Sequence, residues 1–187
     1  MLTLQKINQI MRKYLLLIVA ALMASCCGPK TTELTVEDFN GKAAEYVEKP
    51  VTITGVAKHI CANSGTKLFL GSPEGGDAMV TVFTGEGMEP FDRTTVGKTY
   101  TVNGIVKVTV TIDDAYLDEW EREVVENGIR EGDHICETEQ QAAGVEIDEN
   151  EENPQLKQIE TYREKIVANG GNPIIQYHVE CQSFDIN

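Results

Sequence analysis

The sequence predicts a mainly β domain, a five-stranded OB-like Greek-key barrel that carries a helical insertion. Four segments with the apolar–polar alternation of half-buried strands occur before residue 113, and a fifth lies near the end of the chain. Between them, at about 113–170, the pattern changes to helical spacing and acidic sequence. With 41% hydrophobic and 25% charged residues, the composition is that of a globular protein.

The first four strands are each bounded by turn residues or by a change of pattern. They are predicted at 51–56, 67–70, 78–83 and 99–112. A short helix with Thr35 as its N-cap precedes them. Gly104, inside the long fourth strand, predicts a bulge or a sharp coil where the barrel closes. Tyr100 and Phe83 are expected to belong to the core.

The insertion is expected to contain two helices, at 113–127 and 153–168, before a closing strand at 173–186. The apolar residues that share one helical face are Leu117, Trp120 and Val124 in the first helix and Leu156, Ile159, Tyr162 and Ile166 in the second. The segment 137–152 is acidic and is predicted to be a loose, solvated connection.

Residues 1–25 are predicted to be a secretory signal. Two basic residues come directly before an apolar run at 14–23, and small residues follow the run. The run is too short for a transmembrane helix, which needs about 20 apolar residues. Met11 lies immediately before the basic pair and is a second candidate for the initiator.

The end of this signal, Met23-Ala24-Ser25-Cys26, resembles the lipobox of bacterial lipoproteins. The resemblance implies cleavage before Cys26 and acylation of that residue, and several acyl chains give a stable membrane anchor. The chain then divides into a lipidated tether at 26–36 and an OB-like domain at 37–187. Because Cys27 is not an Asp-type retention signal, the resemblance favours the outer membrane, facing the periplasm.

The net charge of the chain is -14, which disfavours nucleic acid and anionic lipid surfaces as partners. No GxSxG, HExxH, P-loop or GxGxxG motif occurs in the sequence. No catalytic residue is therefore predicted. The expected partners are the membrane, through the lipid anchor, and a second envelope protein.

Histidine and cysteine provide the candidate chemistry, since each of the three histidines lies within three positions of a cysteine. The candidate metal or disulfide residues are Cys61, His134, Cys136 and Cys181, with His59 as a secondary candidate. Thiolate and imidazole ligands suit zinc or another thiolate-binding metal. We expect the three cysteines to gather at one end of the barrel, with His134 as the nitrogen partner.

Two other interpretations of the cysteines stay open at this point. An exported protein favours disulfides, and either a Cys61–Cys136 or a Cys136–Cys181 bond would tie the insertion to the barrel. Alternatively, the thiols are buried separately as packing residues. The spacing His178-x-x-Cys181 places these two side chains on opposite faces of a strand, so only one of them can join a shared site.

Several segments resemble OB-fold lipoproteins of Bacteroidales-type bacteria, a family without an assigned catalytic activity. They are VTITGV at 51–56, CANSGTKLFL at 61–70, VNGIV at 102–106, HIC at 134–136, YRE at 162–164 and YHVEC at 177–181. Taken together, the sequence features predict a non-enzymatic, lipid-anchored envelope protein that binds a small ligand, a metal or a partner protein. A metal- or thiol-redox-handling accessory factor is the alternative, and an oligonucleotide-binding barrel is disfavoured by the charge.

Overall fold

The computed structural model describes residues 31–62, 64–128 and 153–187. Its strands are β1 (Thr32–Leu34), β2 (Pro50–Ile60), β3 (Lys67–Gly71), β4 (Met79–Thr84), β5 (Thr99–Ile112) and β6 (Ile174–Ile186). Its α-helices are α1 (Val36–Lys42), α2 (Asp114–Asn127) and α3 (Pro154–Ala168). Short 3-10 turns occur at Ala43–Tyr46 and Arg93–Thr95. None of the described helices is long and apolar enough to cross a bilayer.

Five of these strands close into a barrel in the order β2-β3-β4-β6-β5, with β5 returning to β2. Neighbouring strands are antiparallel except β4 and β6, which pair in parallel from Val82↔Val179 to Thr84↔Cys181. The predicted OB-like barrel with a helical insertion is confirmed. Period-two alternation identifies strands such as β2 and β5, whereas β3 is buried on both faces and was found from the turn residues that follow it.

The strand β1 was not predicted, and it lies inside the segment expected to be tether. It pairs in parallel with β2 from Thr32↔Val51 to Leu34↔Ile53, so the folded domain begins before residue 37. This strand could not be predicted because three residues are too few to show an alternation. The predicted cap is confirmed, because the Thr35 hydroxyl accepts a hydrogen bond of 3.0 Å from the Asp38 N–H.

The core of the barrel is built from the inward-facing residues of all five strands, together with α1 and the loop before β5. Its fully buried members include Val36, Val51, Ile53, Leu68, Leu70, Val80, Val82, Tyr100, Val102, Val106, Val179 and Cys181. Tyr100 lies in this core, as predicted, and its hydroxyl contacts the hydroxyl of Thr95 at 2.5 Å. Burying a large apolar side chain contributes about 1.5–3 kcal/mol, so this cluster is the main source of stability.

The register between β5 and β6 shifts directly before Gly104, where the bulge or sharp coil was predicted, but the extra residue is Gln182 in β6. A methyl group at Gly104 would meet the carbonyl oxygen of Glu180 and lie 2.6 Å from Cγ1 of Val179. At Gly85, which follows β4, a methyl group would likewise meet the carbonyl oxygen of Cys181. Both strands that flank β6 therefore bring a glycine against its backbone where the barrel closes.

The two predicted helices are confirmed, and they bury a second apolar cluster outside the barrel. Its members are Ile112, Leu117, Trp120, Val124, Ile159, Tyr162 and Ile166. Leu156 was expected in this cluster, but it is 37% exposed, and the buried residue of that turn is Gln155. The spacing from Gln155 to Ile166 fits three turns of 3.6 residues better than the spacing from Leu156, so Gln155 faces inward. Residues 137–152 lie outside the described residues.

Candidate functional site

Half of the sequence-predicted site residues lie in the described part of the barrel. His59 is near the end of β2, Cys61 directly follows β2, and Cys181 is in β6. The other half, Cys26, His134 and Cys136, lie outside the described residues. The structure therefore gives geometry for two of the candidate thiols and one of the candidate imidazoles.

Cys181 is a core residue. Its side chain is fully buried in the barrel, and its thiol donates a weak hydrogen bond of 3.5 Å to the carbonyl oxygen of Ser183. Burial raises the pKa of Cys181 to about 11, and the bond to Ser183 only partly opposes this effect. At neutral pH the group is therefore a protonated thiol, whereas nucleophiles and metal ligands are thiolates.

His59 and Cys61 lie at the end of β2, and their pairing on one strand face stays a prediction. The strand β2 ends at Ile60, and Cys61 follows it directly. Cys61 is 3% exposed, and its backbone N–H donates to the carbonyl oxygen of Lys67 at 2.9 Å. The ring of His59 lies 5.8 Å from the ring of Phe69, measured between centroids.

The two described thiols are not joined. The strands β3 and β4 lie between Cys61 and Cys181 along the sheet, and no disulfide links this pair. Within residues 31–62, 64–128 and 153–187, no group of three or more His, Cys, Asp and Glu side chains could hold a metal ion. The zinc site and both disulfides to Cys136 stay predictions.

We expect Cys181 to resist alkylation in the folded protein. At pH 8 a thiol with a pKa of about 11 holds about a hundredfold less thiolate than one with an ordinary pKa, and burial excludes the reagent as well. Peptide mass spectrometry after a timed iodoacetamide pulse, with and without urea, measures the ratio of rates. Equal labelling of Cys181 in both conditions would contradict its place in the core.

A group of adjacent ring and charged side chains lies on the outer face of β3, β4, β6 and β5. We call it the Phe83 face, and it consists of Lys67, Thr81, Phe83, Lys107, Thr109, His178 and Glu180. The rings of Phe83 and His178 are 4.5 Å apart and nearly perpendicular. The ammonium of Lys67 lies over the Phe83 ring, 5.5 Å from its centroid.

Hydrogen bonds and an ion pair hold the β5 side of this face. The hydroxyl of Thr109 lies 2.9 Å from Nδ1 of His178, which orients the imidazole. Lys107, opposite His178 in the register, forms a 2.7 Å ion pair with Glu48. That pair is exposed and contributes little to stability. Its effect is to hold the Lys107 ammonium at the edge of the face.

Sequence reasoning missed Phe83, because it placed this ring in the core. The expectation is wrong: Val80 and Val82 point into the barrel, and Phe83 is therefore on the outer face with Thr81, where it is partly exposed. The alternation within β4 contains this signal. His178 lies on the outer face and Cys181 in the core, as their three-residue spacing predicted.

We expect His178 to make folding stability depend on pH near neutrality. Burial lowers the pKa of His178; Glu180 partly offsets this, and Lys107 adds a smaller lowering. The unfolded chain then binds more protons than the folded one between the lowered pKa and about 6.5, so stability falls as the pH decreases through that interval. Urea unfolding of wild type and His178→Asn between pH 7.5 and 5.5 measures this, and an equal loss in both proteins would contradict it.

The Phe83 face has the groups that hold a ligand. It offers one aromatic ring, one imidazole, two hydroxyls, two ammonium groups and one carboxylate on rigid strands. Rings provide apolar contact, and the polar groups fix orientation by hydrogen bonding. Strands 2 and 3 of OB barrels, here β3 and β4, commonly carry the ligand site.

No protein-family model and no curated protein matches this chain. The candidate site is therefore defined by the geometry of the Phe83 face alone.

Proposed function

We propose that this chain is a non-enzymatic binding protein of the bacterial cell envelope, anchored by lipid at Cys26 and facing the periplasm. Its ligand is received on the Phe83 face of the OB-like barrel. The observation that carries the proposal is the packing of Phe83, His178 and Lys67 into one partly exposed cluster on the outer surface.

The rigidity of the face supports a binding role. Phe83 and His178 are on strands that pair in parallel, and the Thr109 hydroxyl fixes the imidazole ring. A site that is already ordered before binding loses little conformational entropy when the ligand arrives. The lipobox-like sequence before Cys26 supports the anchor, and the net charge of -14 supports a ligand other than a polyanion.

The anchor is tested by Cys26→Ala. We expect this variant to incorporate no radiolabelled palmitate and to leave the membrane fraction, because the acylated sulfur is absent. Cys27→Ala is the matched control and should incorporate label as wild type does. Equal palmitate incorporation into wild type and Cys26→Ala would contradict the proposed anchor.

The binding role is tested by thermal shift on the full-length protein with four classes of probe: neutral oligosaccharides, organic acids, nucleosides and divalent metal ions. We expect one class to raise Tm by about 4 °C at saturating concentration. The rise in Tm should be lost in Phe83→Ala and kept in Thr54→Ala. Thr54 has an exposed hydroxyl on β2, a strand that is not part of the Phe83 face. If no class distinguishes Phe83→Ala from wild type, the face is not the site.

A further inference from the structure

The strands β5 and β6 continue as a two-stranded ribbon beyond the wall of the barrel. β2 pairs with β5 as far as Ile105, and β4 pairs with β6 from Val179 onward. β5 and β6 themselves stay paired as far as Ile112 and Ile174. The helices α2 and α3 cover one face of this ribbon, because Ile112 and Ile174 pack in the second apolar cluster.

The other face of the ribbon is apolar and exposed. We call it the ribbon face, and it consists of Val108, Tyr177 and Ile175. Val108 is opposite Tyr177 in the register, and Ile175 shares their face because residues two apart on a strand point the same way. The ribbon face continues the inner side of the barrel, where Val106 and Val179 are buried. Val108 is 44% exposed and Ile175 is 41% exposed, so two large apolar side chains are in water on one small surface.

Amphipathic side chains lie beside the ribbon face. Val47 forms a bridge to Val106 in β5, and both Val47 and the preceding Tyr46 pack against the barrel core. The ammonium of Lys49 lies over the Tyr46 ring, 5.9 Å from its centroid, and donates a 2.7 Å hydrogen bond to the carbonyl oxygen of Glu45. Tyrosine and lysine have an apolar body and a polar tip, which suits the boundary between lipid chains and water.

The ribbon face is at the end of the barrel where β1 begins. β1 is parallel to β2, so Thr32 is level with Val51, which in turn is level with Gly104. Val108 lies four residues farther along β5, about 13 Å beyond this level. Cys26 is six positions before Thr32, which is about 20 Å of fully extended chain. An acylated Cys26 therefore keeps this end of the domain within reach of the bilayer.

A second copy of the chain and an anionic surface fit this end less well. Specific protein interfaces use about 20–30 residues a side, far more than the ribbon face offers. Lys107 is already ion-paired with Glu48 at 2.7 Å, and the chain has a net charge of -14, so anionic lipid gains little here. An anchored domain needs only a weak apolar contact with the bilayer, because the anchor makes that contact intramolecular.

We propose that the ribbon face lies on the surface of the phospholipid bilayer. Val108 and Ile175 enter its apolar boundary, and Tyr46 and Tyr177 lie between lipid and water. The assignment rests on the proposed lipid anchor and adds the orientation of the domain to it. This orientation turns the opposite end of the barrel, where β5 begins at Thr99, away from the membrane.

The test is photocrosslinking of the full lipidated protein in phosphatidylcholine vesicles that contain a phospholipid with a diazirine on its acyl chain. Peptide mass spectrometry identifies the segments that acquire lipid. We expect label on the peptides that contain Val108 and Ile175. The peptide that contains Val96 should stay unlabelled, although Val96 is 47% exposed, because it precedes β5 at the opposite end of the barrel.

Two variants with the same chemical change extend the test. Val108→Glu should reduce the labelling of both ribbon peptides about tenfold or more, since removing one valine from apolar surroundings has about that effect. Val96→Glu is the matched control and should be labelled as wild type is. The comparison of the wild-type peptides does not depend on either variant folding.

Incorporation of radiolabelled palmitate is measured on the same preparations, so the anchor and the orientation are judged separately. Lipid label that is confined to the ribbon peptides and falls in Val108→Glu supports the assignment. If palmitate is incorporated but the Val96 peptide is labelled as strongly, or neither is labelled, the orientation fails and the anchor stands. If Val108→Glu instead dissociates a dimer, the ribbon face binds a second copy and the assignment is overturned. If no palmitate is incorporated, both fail.

Discussion

Replacing Gly104 by alanine is expected to destabilise the barrel by about 3 kcal/mol, a large part of the roughly 5–15 kcal/mol that stabilises an ordinary domain. The added methyl group would meet the carbonyl oxygen of Glu180 and lie 2.6 Å from Cγ1 of Val179. Because one of these groups is backbone in the closing strand, it cannot rotate away as a flexible side chain could. The β5–β6 pairing must move or break.

Urea unfolding monitored by circular dichroism gives the difference in the free energy of unfolding between wild type and Gly104→Ala. Gly41→Ala is the matched control, since nothing lies within 4 Å of the added methyl group and Gly41 is in helix α1. The control should be neutral or stabilise by up to about 1 kcal/mol, because alanine has the higher helix propensity. A Gly104→Ala protein as stable as Gly41→Ala would show that β5 and β6 do not approach as closely as described.

Leu117→Ala is expected to cost about 2–5 kcal/mol, the range of a buried leucine that leaves a cavity. Leu117 is fully buried in the second cluster, where α2 and α3 pack on the ends of β5 and β6. Val125→Ala, at 70% exposed on the same helix, is the control and should change stability by less than about 0.5 kcal/mol. The same urea experiment measures both variants.

A small effect of Leu117→Ala would mean that the helical insertion adds little to the stability of the barrel. The shape of the urea unfolding curve is a second readout, because it shows whether the helices and the barrel unfold together. If the α2–α3 pair unfolds before the barrel, the curve of the variant separates into two steps, whereas wild type unfolds in one. We expect the helices and the barrel to unfold together as one cooperative unit. A loss of stability below about 1 kcal/mol in Leu117→Ala, or two unfolding steps in wild type, would contradict this.

The elements that could be predicted are those in which buried residues recur at a short, regular interval along the chain. Strands such as β5 alternate over many residues between the core and the outside, and α2 repeats its buried residues every three or four positions. The glycine at position 104 was identifiable because a residue without Cβ inside a long strand indicates a bulge or a close approach. These signals are local, and they do not depend on which elements meet.

The remaining features depend on tertiary contacts. The strand β1 exists because β2 has an edge for it, and its three residues have no pattern of their own. Gln155 takes the buried position in place of Leu156 because the direction of α3 against α2 is fixed by the other residues of the cluster. Neither result follows from hydrophobicity counted along the chain.

The candidate site illustrates the same limit. Proximity in sequence drew attention to His178 and Cys181, yet the strand carries them to opposite sides, one to the surface and one to the core. The partner of His178 is Phe83, far away in sequence, and the two meet because β4 and β6 are neighbours in the closed barrel. The strand order was needed to find the Phe83 face.

The parallel pairing of β4 with β6 also has a consequence for folding kinetics. It joins Val82 to Val179, so the barrel cannot close until β6 has left the ribosome. Contacts between such distant segments form slowly, because the entropy of closing a long loop is lost before they stabilise anything. Until then β4 and β5 each have an open edge that can pair with another chain. The period between the synthesis of β4 and that of β6 is therefore when the chain is most exposed to association with other chains.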